Sequence, residues 1–433
     1  MILSVAALFL SIQAEAARKP RPPPEIHWFF GCSVAGLGDV DADGVPDFLI
    51  ADPGEPGPGR VWAISGKTSR VLYARDGVEP GDYFGWELRS VGDVDGDGIK
   101  DWIAGRDGPH KFDGCTEFFA SVHSGRDGTR LFLIRSNDLE EELGRCFAGV
   151  GDVDGDGKED LVIGARRRAS SGGVAYIYSS SGGRRIRTLG MELDSGTRAM
   201  DIAVLGDCDG DQVPDILISV QAPTEHTVTV HRAFLFSGAS GDPLWRFETL
   251  GNQVIQRIRP AGDVDGDGCP DALVGGIGKV LLLSGKSGAV IRVFEPEVRQ
   301  HFLSYPPTSP PERLDGSGFG VAITTLRRNG GGRTLAVGAD ESGAAVGAVY
   351  CLDLSNGART RVLPPGDDVS TYQLGWRLDC VGDMDRDGWD DLLCGTFSFF
   401  GKDDGTALVY SGRDGHELRR FRRRGNDVIL SSE

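Results

Sequence analysis

Aspartate recurs in this chain at positions 1, 3, 5 and 9 of a nine-residue segment, six times over. The sets are Asp39, Asp41, Asp43 and Asp47; Asp93, Asp95, Asp97 and Asp101; Asp152, Asp154, Asp156 and Asp160; Asp207, Asp209, Asp211 and Asp215; Asp263, Asp265, Asp267 and Asp271; and Asp383, Asp385, Asp387 and Asp391. Four carboxylates in so short a span repel one another. A like-charge pair about 4 Å apart costs about 4 kcal/mol at an effective dielectric near 20. Calcium, a hard divalent cation that takes oxygen ligands, relieves that cost. The spacing therefore predicts up to six calcium loops. The residue at position 7 offers its backbone carbonyl in each: Val45, Ile99, Lys158, Val213, Cys269 and Trp389. An EF-hand opens with the same spacing but needs a bidentate Glu at position 12. Position 12 here is Ile50, Ala104, Ile163, Ile218, Val274 or Cys394, so Asp at position 9 must close the site. Gly at position 6 allows the sharp turn; the fourth loop has Gln212 there and is expected to bind more weakly.

One such loop would be an ordinary Asp-Gly turn. Six copies in phase, starting 54, 59, 55, 56 and 120 residues apart, are a repeat. The net charge of −18 is smaller than the charge of the 24 loop aspartates, so the acidity is a metal-binding property, and nucleic acid is not an expected partner.

Strands must hold these loops. Before each comes an aromatic-Gly step and a short apolar strand: Phe30-Gly31, Phe84-Gly85, Phe147-Ala148, Phe319-Gly320 and Leu374-Gly375. After each comes an apolar run such as Phe48-Leu-Ile-Ala51 or Leu161-Val-Ile-Gly-Ala165. A third strand ends at a Ser-Gly turn, as in Val61-Trp-Ala-Ile-Ser-Gly66, and a fourth closes the unit, as in Val290-Ile-Arg-Val-Phe294. No long helical periodicity occurs. The 120-residue gap hides a further unit whose turn, Arg327-Arg-Asn-Gly-Gly-Gly-Arg333, has no carboxylate. Seven units of four antiparallel strands predict an all-β seven-bladed β-propeller over residues 27–424. An open solenoid is the structural alternative.

The unit Phe-Gly … Gly-Asp-x-Asp-x-Asp-Gly-x-x-Asp-Leu-x-Ile-Gly-Ala … Val-Tyr-x-x-Ser-Gly resembles the FG-GAP repeat of integrin α-subunit propellers, from about residue 27 to 424. The resemblance implies calcium at the six loops, on one face of the disc, and partners on the loops of the opposite face. It implies no metal in the sixth unit. Nothing after residue 424 resembles the leg, membrane or tail segments of an integrin subunit, so the likeness is to the propeller alone, as in secreted bacterial FG-GAP proteins.

Residues 1–16 read as a secretory signal: a short apolar run, then Ala14-Glu15-Ala16 as a cleavage site. A Pro-rich leader over 17–26 and a C-terminal tail over 425–433 flank the repeats. No segment reads as a transmembrane helix, so the expected location is secreted or extracytoplasmic. Export permits disulfides. Cys380 and Cys394, each three residues outside the last loop, are expected to pair, whereas Cys208 and Cys269 inside loops are expected to be free packing residues.

Catalytic signatures are absent from the sequence: no GxSxG, HExxH or GxGxxG. Gly66-Lys67-Thr68 and Gly285-Lys286-Ser287 mimic the end of a phosphate loop but fall on the repeated Ser-Gly turn. The expected function is a calcium-stabilised binding or adhesion module for a protein or cell-surface polymer, not an enzyme. The alternatives are a lectin-like carbohydrate binder and, behind it, a polysaccharide-acting enzyme. Candidate contact surfaces are the connection 295–318, the aromatic loop 396–404, and the basic run Arg419–Arg424, which is expected to guard a sheet edge.

Overall fold

The computed structural model describes residues 29–54, 57–78, 83–105, 118–136, 143–166, 173–190, 193–194, 196–223, 229–249, 254–276, 278–296, 318–339, 347–363, 374–396, 405–424 and 427–430. These form seven antiparallel sheets, each with its strands in chain order from the first outward. The chain is an all-strand, seven-bladed β-propeller. The first strands run, in order, Ser33–Gly38, Glu87–Ser90, Phe147–Gly151, Arg198–Gly206, Ile255–Gly262, Phe319–Arg327 and Arg377–Gly382. They contact one another in a closed ring, the first against the last included, which excludes an open solenoid.

There is no single core. Seven apolar clusters lie at the seven junctions between neighbouring blades, and each draws side chains from both. Second strands are therefore covered on both faces, and all six residues of Asp47–Asp52 are buried, as a near-continuous apolar run requires. Fourth strands lie at the rim and alternate, as in Pro243–Glu248.

The aromatic-Gly step has a packing cause. The apolar side chain is fully buried, as at Phe30 and Phe319. The glycine takes a left-handed φ (+80° at Gly31, +91° at Gly375) and sits where a Cβ would meet the third strand of the preceding blade, 2.6 Å from Thr406 O at Gly31. In the third unit this position is Leu143-Gly144, not Phe147-Ala148 as the sequence pattern suggests. Gly144 has φ +96° and a Cβ there would lie 2.3 Å from Phe119 O, whereas Phe147 already belongs to the first strand.

Blade seven forms its own four strands, and the ring closes through side chains. Pro46 packs on Gly382, Arg386 Nη2 donates to Gly44 O (3.0 Å), Phe48 meets Phe421 edge-on at 5.4 Å, and Arg423 pairs with buried Asp52 at 2.5 Å. A further device recurs at this junction and at others: a fourth-strand donor reaches the next blade's turn between strands three and four. Trp245 Nε1 donates to Gly285 O (2.6 Å), Arg292 Nη1 to Leu354 O (2.8 Å), Arg361 Nη1 to Gly412 O (2.9 Å), and Arg419 Nε to Ser69 Oγ (3.0 Å). The basic run thus seals the ring instead of guarding an edge. Its strand, Glu417–Arg424, is covered by a fifth, Asp427–Leu430, within the segment read as a tail.

Two cysteine expectations are corrected. Cys208 and Cys269 form a disulfide (Cα–Cα 5.0 Å) that ties the loops of blades four and five. Position 2 of one loop and position 7 of the next are brought together by the ring, a juxtaposition that spacing along one blade does not reveal. Cys380 and Cys394 are both free. Gly382, not Asp383, pairs with Asp391, and a bulge before it shifts the register further, so Cys380 faces Leu392 and Cys394 faces Leu378. A non-reducing peptide map is expected to recover the 208–269 link and alkylated Cys380 and Cys394. Cys208→Ser is expected to cost about 2–4 kcal/mol in urea unfolding; recovery of a 380–394 link would contradict this register.

Candidate metal centres

The six aspartate loops join the first and second strands of blades one to five and seven, so all six lie on one face of the disc. They fold alike. At position 9 the carboxylate is fully buried in every case. Its Oδ2 accepts the position 2 N–H at 2.7–2.8 Å. Its Oδ1 accepts an N–H from the turn after the third strand at 2.9–3.1 Å: Gly66, Gly125, Ser180, Gly238, Gly285 and Gly412. This is what the repeated Ser-Gly turn is for, and it disposes of the phosphate-loop likeness at Gly66 and Gly285.

The other three carboxylates are aimed by the loop backbone. Oδ2 at position 1 accepts the position 6 N–H at 2.7–3.1 Å. Oδ1 at position 5 accepts the position 7 N–H at 2.8–3.0 Å. Position 3 accepts the position 5 N–H in five of the loops, as from Asp97 to Asp95 at 3.0 Å. These bonds require left-handed backbone at positions 4 and 6. Position 6 has φ between 72° (Gln212) and 90° (Gly388). Position 4 is left-handed too, at Ala42 (59°), Gly96, Gly155, Gly210, Gly266 and Arg386 (64°), so loops one, four and seven each hold one non-Gly residue in that costly conformation.

Oxygens of three carboxylates converge to within 4.8 Å of one another in loops one to five: Asp39, Asp41 and Asp43 in the first, and positions 1, 3 and 9 in the next four. An ionised carboxylate has about four acceptor sites, so the backbone bonds that these accept, up to three each, still leave room for a metal. Donors are all oxygen and no thiol or imidazole joins these groups, which suits a hard cation. Protein cations compensate the loops only in part: Arg126 Nε lies 2.6 Å from Asp97 and Arg184 Nη2 3.3 Å from Asp154, both arginines exposed. The donor set therefore fits a divalent ion. Burial, against the two backbone donors, pushes position 9 up to about 6 at Asp47, Asp101, Asp215 and Asp391, and also raises Asp160 and Asp271.

Blade six replaces the aspartate loop with a hydrogen-bonded brace. Arg327 N donates to Asp390 Oδ2 (2.9 Å), Asp390 N to Arg327 O (2.9 Å), and Asn329 N to Gly388 O (2.8 Å), while the Arg328 guanidinium lies 5.2 Å from the Trp389 ring. The carboxylate-free turn thus docks on loop seven. Of the other surfaces, residues 297–317 and 397–404, which hold most of the two candidate contact loops, lie outside the described residues, as do residues 1–28 and 431–433.

The FG-GAP-like repeat family matches residues 152–218. Integrin alpha-V of Gallus gallus is 28% identical over 232 residues, 49% of this chain and 22% of that subunit. Integrin alpha-4 of Xenopus laevis is 28% identical over 35% of this chain and 15% of its own length, and integrin alpha-PS2 of Drosophila melanogaster 32% over 33% and 12%. The aligned stretches thus span less than a quarter of these relatives. A solved structure, BBS1N in complex with ARL6DN soaked with lead, superposes at TM-score 0.48 and 11% identity over 79% of this chain and 90% of its own, too remote to bear on function. These sequence likenesses and the seven-bladed architecture bear out the FG-GAP reading: a β-propeller resembling the N-terminal domain of integrin α-subunits.

Position 9 is expected to support the fold without metal, and position 3 only through metal. Asp271→Ala, which strands the Val264 and Gly285 N–H groups, is expected to lower stability by about 3 kcal/mol even in chelator. Asp265→Ala should lower the melting temperature only when calcium is present; equal losses in chelator would refute this division of labour. A pH scan checks the raised carboxyls. Their folded pKa exceeds the unfolded value, so the metal-free fold binds more protons between about pH 4 and 6 and loses stability as pH rises through that window. Calcium requires the ionised form, so its stabilising effect should grow over the same window.

Proposed function

We propose that this chain is an exported, calcium-stabilised propeller that binds a protein or cell-surface polymer on the face opposite its aspartate loops. The observation that supports this most is the uniform build of the six loops: each uses its buried position 9 carboxylate to fasten two strands and a turn of its own blade. That is a structural use of the face, repeated around the disc. The likeness to integrin α-subunits favours a protein ligand. Among the described residues no helix is long and apolar enough to cross a membrane. Together with the apolar N-terminal run, that favours an extracytoplasmic place.

In this reading the carboxylates at positions 1, 3, 5 and 9 and the position 7 carbonyl would hold calcium. The ion supplies charge neutralisation for four carboxylates whose own N–H donors do not cancel it. No catalytic role is assigned. Phe29, Tyr83 and Trp86 lie just before the first strands of blades one and two, on the end away from the aspartate loops, with ring centroids 5.8 Å (Phe29–Trp86) and 6.3 Å (Tyr83–Trp86) apart. Aromatic groups of this kind serve either a protein hot spot or a sugar ring.

Two experiments test the proposal. Saturating calcium is expected to raise the melting temperature by about 10 °C or more over EGTA, since several sites contribute by mass action; a shift of a degree or two would overturn the structural role. Trp86→Ala is expected to abolish capture of surface protein from the source cell while leaving the calcium-dependent melt unchanged. If capture survives, the opposite-face mouth is not the binding surface. A positive signal on a glycan array instead would move the reading to a carbohydrate binder.

A further inference from the structure

The propeller axis is filled with charge. Alternate residues of the first strands, those not facing a junction cluster, meet across the centre of the disc. Asp201 of blade four accepts Arg89 Nη2 of blade two (2.5 Å), Arg259 Nη1 of blade five (2.8 Å) and Ile258 N (3.0 Å). Glu87 of blade two faces Arg377 of blade seven (3.2 Å), Arg89 (3.5 Å) and Arg257 of blade five (3.6 Å). Asp379 of blade seven accepts Gly36 N of blade one (2.9 Å). At the equivalent positions the other blades supply small residues: Ser33 and Ala35, Cys146 and Ala148, Ala322 and Thr324.

Among the described residues this cluster sets four guanidiniums against three carboxylates. The shortfall is local. Arg89 and Arg259 both pair with Asp201, whereas among the described residues Arg257 and Arg377 have only Glu87 within ion-pair distance, which Arg89 also faces, and Arg257 approaches it no closer than 3.6 Å, beyond a hydrogen bond. The Nε of Arg377 is buried and has no hydrogen-bond partner among the described residues. Both side chains are largely covered, at 11% and 16% exposure. A buried cation without its full complement of acceptors is costly. Burial and the neighbouring Arg257 already hold Arg377 down to about 10.

We infer that the axis binds one compact monovalent anion, chloride or a carboxylate group, between Arg257 and Arg377. The anion restores neutrality to the cluster and accepts from the orphaned Nε. Arg257, Arg377 and Glu87 stand earlier on their strands than Arg259, Asp379 and Arg89, and every first strand runs toward the aspartate-loop face. The anion therefore enters from the opposite face, past Trp376, whose ring lies 5.4 Å from the Arg377 guanidinium. The site is chemically separate from the metal loops and does not depend on them.

The test is thermal melting of the full chain in sodium isethionate (a bulky sulfonate), chloride or formate at equal ionic strength, with and without EGTA. Chloride or formate is expected to raise the melting temperature by about 3 °C or more over isethionate, saturably and in both calcium states. A response to chloride assigns a free ion; a response to formate alone assigns the carboxylate of a larger ligand. Arg257→Gln balances the cluster at three against three and is expected to abolish the anion response, while Arg257→Lys keeps it. Should the Gln variant fail to fold, crystals of the wild type grown in bromide decide the matter, with an anomalous peak expected between Arg257 and Arg377. Equal melting in all three salts, or a bromide-grown crystal with no axial peak, overturns the inference.

Discussion

The structure depends on one buried carboxylate in each blade that carries an aspartate loop. Aspartate at position 9 lies at the start of the second strand, fully covered, and gathers N–H groups from the loop before it and the turn beyond the third strand. Three strands of a blade are thereby fixed around one side chain. The same burial raises its pKa, so the group that organises the loop is also the one that most needs a cation nearby. The fold and the loop's fitness for a cation are coupled at this atom, and the other three carboxylates are arranged around it by the loop backbone.

Between blades the logic is different. Each junction has its own apolar cluster; five add a glycine where the next blade's entry crosses the previous third strand, and most add a fourth-strand donor on the neighbouring turn. Because no blade buries its faces alone, stability is a sum of neighbour contacts, and the ring must close. Blade seven meets blade one with the same devices plus an ion pair, Arg423 to Asp52. The disulfide between loops four and five adds a covalent tie at one junction only. The axial charge cluster is a third system, joining blades two, four, five and seven through side chains, and blade one through Gly36 N, in a way that no neighbour-to-neighbour rule requires.

Much of this was legible in the sequence because local periodicity dictates it. The aspartate spacing, the four strands per unit and the seven units all rest on contacts within some sixty residues. What stayed hidden depends on the ring. Cys208 and Cys269 are brought together only by the packing of adjacent blades, and the pairing of Cys380 with Cys394 failed because a bulge moved the register. Phe147 imitated the aromatic-Gly step that Leu143 and Gly144 perform. Glu87-Leu-Arg89, Arg257-Ile-Arg259 and Arg377-Leu-Asp379 did carry a signal, an alternation of charge with apolar residues on the innermost strands. A strand with one face in a junction and charge on the other points that charge at the axis once the ring is known to close.

The most direct test of the account is the calcium content of the chain at saturation, by equilibrium dialysis and elemental analysis at neutral pH. The account predicts about six ions per chain, one for each aspartate loop, falling by one when Asp152 and Asp154 are replaced together by Asn. A chain that keeps its fold and holds no calcium would contradict it, because the carboxylate repulsion would then have to be relieved by the protein alone.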